Sequence, residues 1–298
     1  MAPLFRRPGV FCLAMAVYFA VVLWLDRYVD ERQQLLLGAA TWAVLFIACR
    51  GLPRERIVQV SIVVVVATCT EVVGSILWGV YEYRLGNLPS FVPPGHGLVY
   101  LTGLSLSHCA FVRRRPRPFV FAVLGLCLAW TLAGLTVMPR LDVAGALGAL
   151  TFAVCLLWGR APNIYAGVFV AVAALEWYGT GVGTWRWAET IPGLGIPQGN
   201  PPSGVASGYV LFDVIAIALA PAVGGVIERL KRFVEVYEPG DVGFHGQGRP
   251  GLLDSPAQLG RVGLREPGVE VSHRLQGDAH ALPLHEALDR TVPERDHR

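Results

Sequence analysis

Charge is what this chain has least of. Only 16% of its 298 residues are charged while 53% are hydrophobic, well short of the roughly one-quarter charged that soluble domains carry. Lysine is nearly missing, Lys231 being the only one. A net charge of +3 is too small to argue for nucleic acid as a partner. The six cysteines (Cys12, Cys49, Cys69, Cys109, Cys127 and Cys155) form no C-x-x-C pair and all fall in apolar segments, so they read as small buried hydrophobes, not as disulfides or ligands. There is no H-E-x-x-H, no P-loop and no G-x-S-x-G, which removes the common zinc-peptidase, nucleotide-hydrolase and serine-hydrolase readings. No Asp-rich diphosphate–magnesium motif occurs either, which disfavours a prenyl-diphosphate transferase. Before residue 233 the only histidines are His96 and His108; a zinc site would have to be completed by carboxylates. No metal and no cofactor is implied.

What is present is apolar length. A bilayer span takes roughly 20 apolar residues. Eight segments qualify as candidates, at about 9–25, 34–49, 57–81, 95–112, 118–138, 142–159, 164–183 and 204–227. The fold class expected is therefore an all-α polytopic transmembrane helix bundle over residues 1–232. Arg6-Arg7 ahead of the first apolar run resembles a signal peptide, but no small-residue cleavage site precedes Asp26, so the run reads as a retained helix. With the N-terminus inside, 13 Arg and Lys residues fall on the inner side, including Arg113, Arg114, Arg115 and Arg117, and 5 on the outer: Arg27, Arg32, Arg84, Arg140 and Arg186. That bias predicts eight spans in the plasma membrane with both termini cytoplasmic. Trp24, Trp42, Trp130 and Trp158 lie toward span ends, as an interfacial belt requires. Residues 233–298 mix Gly, Pro, Arg and acids with few aromatics. They read as a cytoplasmic, largely disordered tail, with a short helix around 280–290. Its histidines, His245, His273, His280, His285 and His297, have no regular metal spacing.

Inside the apolar runs a pattern repeats. Glu71-x-x-Gly74-Ser75 is followed by Gly79-x-Tyr81-x-Tyr83; Glu176-x-x-Gly179-Thr180 is followed by Gly183-x-Trp185-x-Trp187. A proline-rich loop comes next each time, Pro93-Pro94 and Pro201-Pro202 opening the following helix, where a missing N–H costs nothing. Four spans separate the copies, so the expectation is a parallel 4+4 internal repeat. A carboxylate in hydrocarbon is expensive and marks a functional site by default. Glu71, Glu176 and Asp213 all fall well inside spans. They are expected to face one another, hydroxyls or a water-filled cavity. Thr68, Glu71, Ser75, Trp78 and Glu82 follow helical spacing and predict one semi-polar stripe, and His96, Tyr100, Gly103 and Ser107 another. Ser203 is a candidate cap for the last span. Each residue also has a plainer reading. A lone glutamate hydrogen-bonds a neighbouring helix, the glycines permit close packing, and the aromatics form the belt.

The candidate catalytic residues are Glu71, Glu176, Asp213 and His96. Trp78, Tyr81, Tyr83, Tyr100, Trp185, Trp187 and Tyr209 are candidates for substrate contact. A buried carboxyl that keeps its proton serves as a general acid, and aromatic faces stabilise nearby positive charge. Together they suit protonation of an alkene, with water capture giving hydration and internal capture giving cyclisation. The run Glu71-x-x-Gly74 … Gly79-x-Tyr81-x-Tyr83 … Leu85-Gly86 … Pro89 … Val92-Pro93 resembles the signature region of the bacterioruberin-type carotenoid hydratases. The resemblance covers about 25 of 298 residues. It implies a lyase, or for cyclisation an isomerase, acting in carotenoid biosynthesis on a membrane-soluble isoprenoid, with Glu71, Tyr81 and Tyr83 on its motif. A proton-coupled transporter of a small solute, and a non-catalytic scaffold whose tail recruits a cytoplasmic partner, remain alternatives. The absence of an evidently broken helix weighs against the transporter.

Overall fold

A computed structural model describes residues 6–237. They are mostly helical. The helices are α1 (Pro8–Asp26), α2 (Glu31–Cys49), α3 (Arg54–Glu71), α4 (Val92–Ser107), a short α5 (Ala110–Arg114), α6 (Pro116–Thr136), α7 (Val143–Trp158), α8 (Pro162–Val182) and α9 (Ala206–Tyr237). A π-helical turn, Val72–Leu77, continues α3, and two short strands come after α3 and α8: β1 (Tyr81–Tyr83) and β2 (Trp185–Trp187). Six helical stretches are long and apolar enough to cross a membrane: α1, α2, α3 with its π turn, α6, α8 and α9 through Phe233. α4 and α7, at 16 residues each, are shorter than a full span requires. Several apolar helices of this kind are compatible with an integral membrane protein.

Local chemistry sets the helix ends. Pro8, Pro116 and Pro162 each occupy a first helical turn, their fixed φ suiting that position. Asp30 caps α2 in a reciprocal box with Gln33, satisfying two otherwise orphaned N–H groups. Asp142 caps α7 by accepting from Gly145 N at 3.0 Å. Gly183, at φ 82°, stops α8 in a left-handed turn that a β-branched residue would strain.

Several boundaries differ from expectation. Apolar length predicts α-helix through residue 81 in the third span, but the α-form ends at Glu71 and the π turn carries Trp78 N to Val73 O at 2.8 Å. The extra residue in that turn shifts the azimuth of every side chain beyond it. The expected stripe is therefore broken: Glu82 stands exposed on β1, not below Ser75. The fourth span ends at Ser107 rather than 112, with α5 as a separate turn. Ser203 does not cap the last helix, which starts at Ala206. Trp130, expected at the interface, is buried against Phe169 and Trp177. α9 continues past 232 to Tyr237. The remainder of the expected tail, with its five histidines and the helix around 280–290, lies outside the described residues.

The core runs between two crossed pairs. The most extensive helix contacts are α3 with α9 and α4 with α8, so each copy of the repeated pattern packs on the helix that succeeds the other copy. α4 is buried from His96 to Ser105. It approaches α8 so closely that a Cβ on Gly103 would lie 2.3 Å from Val168 Cγ2, and one on Gly167 2.6 Å from Gly103 O. Gly at both positions is what lets the backbones touch. The first helices break the correspondence: α1 packs on α4 and α8, whereas α6 packs on α7 and α8.

Candidate functional site

β1 and β2 pair antiparallel, with Tyr81 opposite Trp187, Glu82 opposite Arg186 and Tyr83 opposite Trp185. Side chains alternate along a strand. The four aromatics therefore share one face, turned toward the helices, and Glu82 and Arg186 share the exposed one. Ala188 N to Val80 O (3.0 Å) and Arg84 N to Thr184 O (2.9 Å) extend the ribbon at both ends.

Beneath the ribbon is a cavity of about 170 Å³ into which both copies of the pattern converge. Tyr81 and Tyr83 donate their hydroxyls to Glu71 Oε2 at 2.6 and 2.8 Å. His96 Nε2 lies 2.9 Å from Glu71 Oε1. Trp185 and Trp187 donate Nε1–H to Glu176 Oε2 at 2.9 and 3.1 Å. Glu71 is thus held at both oxygens. At Glu176 no hydrogen bond engages Oε1 among the described residues. Both carboxyls are buried, at 7% and 2% exposure, which only such bonding makes affordable in hydrocarbon. Burial and the neighbouring Glu71 carboxylate hold the Tyr81 and Tyr83 hydroxyls well above the ordinary tyrosine range, so both stay protonated donors.

Tyr209 of α9 stacks on His96, ring centroids 4.9 Å apart, and Phe212 meets His96 edge-on at 5.9 Å. His96 Nδ1 is buried, with no hydrogen-bond partner among the described residues. Tyr18 of α1 and Phe91, at the head of α4, complete the wall. Neither was singled out from the sequence; an isolated aromatic in an apolar run carries no signal of which way it points.

Of the expected site residues, the cavity gathers Glu71, Glu176, His96, Tyr81, Tyr83, Trp185, Trp187 and Tyr209. It does not gather Asp213, Tyr100 or Trp78. Asp213 lies one turn beyond Tyr209, buried, with Oδ2 unpartnered among the described residues. Tyr100 donates to Gln59 Oε1 at 2.6 Å, which also accepts from Arg56 at 2.8 Å, so these residues form a separate polar cluster. Trp78 is about half exposed, its N–H given to Pro192 O at 2.9 Å. Among the described residues no group of three His, Cys, Asp or Glu is placed to hold a metal ion.

The loops are tied down by polar residues whose role the sequence reading missed. Asp142, 1% exposed, accepts from Gly199 N (2.8 Å) and Ser203 N (2.7 Å) besides its own helix cap. Gln34 accepts from Asn87 and Ser90 and donates to Asp26 Oδ1 at 2.6 Å. An aspartate directly before an apolar run was a legible capping signal for Asp142; its reach across to the second proline loop was not. No protein-family model, curated protein or solved structure matches this chain.

Proposed function

We propose that the cavity is an acid–base site for an unsaturated isoprenoid lipid, and that the protein hydrates or cyclises a carotenoid-like chain. The observation that carries this reading is the pairing, in one apolar cavity, of a carboxyl with a free oxygen and a carboxyl fully engaged by donors. Glu176 Oε1 bears the proton and delivers it to a terminal double bond. The electron pair of the alkene forms the new C–H bond, and the resulting carbocation is faced by the rings of Tyr81, Trp185 and Trp187. Water then adds to the cation. With Nε2–H given to Glu71, His96 Nδ1 is a lone pair able to take the proton that water releases. Return of that proton from His96 to Glu176 through cavity water resets both groups, and the sum is then alkene plus water to alcohol, with no other reactant. Where an internal alkene attacks first, loss of a proton closes a ring instead. The likeness of the 71–93 run to the bacterioruberin-type hydratases supports a long polyene as substrate.

The membrane setting belongs to the same proposal. Eight crossings with α4 and α7 as short inner members, a 4+4 repeat imperfect in its first helices, and both termini on the inner face of the plasma membrane accord with the arginine bias. The test is isoprenoid profiling of a deletion strain complemented with wild type, Glu176→Gln or Glu71→Gln. A product present only with wild type is expected. Identical profiles in all strains would remove the enzyme.

A proton-coupled carrier is the second reading, and one observation favours it: the π turn that begins one residue after Glu71. Such interruptions recur at functional sites, and they give a carrier the local irregularity that the sequence did not reveal. Proton-dependent uptake by vesicles, lost in Glu71→Gln, would select it.

A further inference from the structure

The cavity is too small for the molecule proposed to react in it. About 170 Å³ falls below the roughly 300 Å³ at which pockets begin to enclose a drug-sized ligand, and a long isoprenoid needs more. The remaining chain must lie elsewhere. Against the cavity, between α1 and α8, lies a second apolar hollow of about 240 Å³. The two share Phe19 and Leu175, both half-buried. Past this pair the lining is mostly small, Ala16 and Ala20 on α1 and Ala171 and Ala174 on α8, with Tyr178 one turn beyond Ala174. Two of its three polar side chains are spent on the backbone, Thr102 Oγ1 donating to Leu98 O at 2.7 Å and Cys12 Sγ to Thr102 O at 3.7 Å. The third is Tyr178, and the lining is otherwise apolar. Ala16 and Ala174 are exposed at its edge, and α1 and α8 are both among the helices apolar enough to cross a membrane.

We infer that this groove holds the hydrocarbon chain of the same isoprenoid whose reactive end occupies the cavity, and that Phe19 and Leu175 are the gate between chain and site. The inference rests on the enzyme reading above. From Cys12 to Leu23 the two hollows track α1 for about 16 Å at 1.5 Å per residue, roughly half of a bilayer's ~30 Å hydrocarbon depth. The groove also has a structural origin. α1 lies against α4 and α8, a position α6 does not mirror, so the cleft between α1 and α8 belongs to one half of the sequence pattern. The chain therefore reaches the carboxyls sideways from the bilayer.

The test uses the full chain in phosphatidylcholine nanodiscs with lycopene, an acyclic C40 polyene that acquires visible circular dichroism only when held in a chiral site. Wild type is expected to induce that signal. Ala16→Trp and Ala174→Trp, which add bulk at exposed positions, are expected to weaken binding about tenfold while keeping the wild-type melting temperature. Phe19→Ala is expected to retain the signal. No signal with wild type, or an unchanged one in both tryptophan variants, would overturn the groove. So would a wild-type signal that falls in proportion to added phosphatidylcholine, which marks ordinary bilayer lipid there. Signal lost on plugging, with no isoprenoid product in cells, upholds the groove and sinks the enzyme. Product lost in Glu176→Gln but intact in both plugged variants upholds the enzyme and sinks the groove.

Discussion

The two copies of the pattern put a carboxyl in the same place and then treat it differently. Glu71 meets two phenols and an imidazole; Glu176 meets two indoles. An indole N–H only donates, whereas a phenol both donates and accepts, and an imidazole adds a charge that comes and goes with its proton. The first copy is therefore built to hold a carboxylate with its compensation at hand. The second anchors one oxygen and leaves the other open. The source of the difference is short: Tyr against Trp at two strand positions, and a histidine after Pro93-Pro94-Gly95 where the second copy has Pro201-Pro202-Ser203-Gly204. The repeated pattern gives a shared geometry, and the residues that differ within it set a carboxyl held at both oxygens against one held at a single oxygen.

That contrast can be broken. Glu176→Gln removes the proposed proton donor while keeping an oxygen for both indole bonds. Product formation should fall by about 10²–10⁴-fold, the usual share of a general acid, with little change in melting temperature. An equal loss of fold and product would mean that the residue is structural. Next comes His96→Asn, which keeps the volume polar but lacks the second ring nitrogen. Turnover should drop by about 10²-fold with the melting temperature kept; wild-type turnover would count against a role for His96 in taking up the proton.

Removing donors tests the anchors. Tyr83→Phe strips one bond from a buried carboxylate and should cost about 1–3 kcal/mol, measured by thermal unfolding in detergent. Trp185→Phe should cost less, because the protonated Glu176 of the proposed mechanism strands no charge when it loses one donor. A larger loss at Trp185 would reverse the contrast drawn between the copies. The smallest effect sharpens the picture of the phenols. In an ultraviolet titration from pH 9 to 11, a smaller fraction of the tyrosines should ionise in wild type than in its Tyr81→Phe/Tyr83→Phe variant, since burial and Glu71 keep these two hydroxyls protonated there.

Much of this was legible in the chain. Apolar length located the helices, because hydrocarbon admits few other backbones. The repeated glutamates were readable because a buried acid has no cheap structural excuse. Even the ribbon left a trace: Tyr81-x-Tyr83 and Trp185-x-Trp187 alternate with the period of a strand, though they read more readily as a belt. Azimuth was not legible. Tyr209 and Asp213 share a helical stripe, yet Tyr209 lines the cavity and Asp213, one turn on, does not. The π turn after Glu71 was hidden as well, since no residue type specifies it. Nor does composition tell where α1 and α6 dock, which depends on long-range packing.

The ribbon has a mechanical consequence. It joins the two halves by backbone hydrogen bonds from Val80 to Arg84, and Gln198 adds a further bond to Val80 O at 2.8 Å. A backbone ladder is short and nearly inextensible, so it works as a strap across that end of the bundle. The halves cannot part there without giving up the whole ladder at once. Any breathing must pivot about the strap and open at the far end or along the flanks. A carrier that rocks its halves to expose the site alternately to each side would have to unbuckle it in every cycle; an enzyme fed from the side would leave it closed.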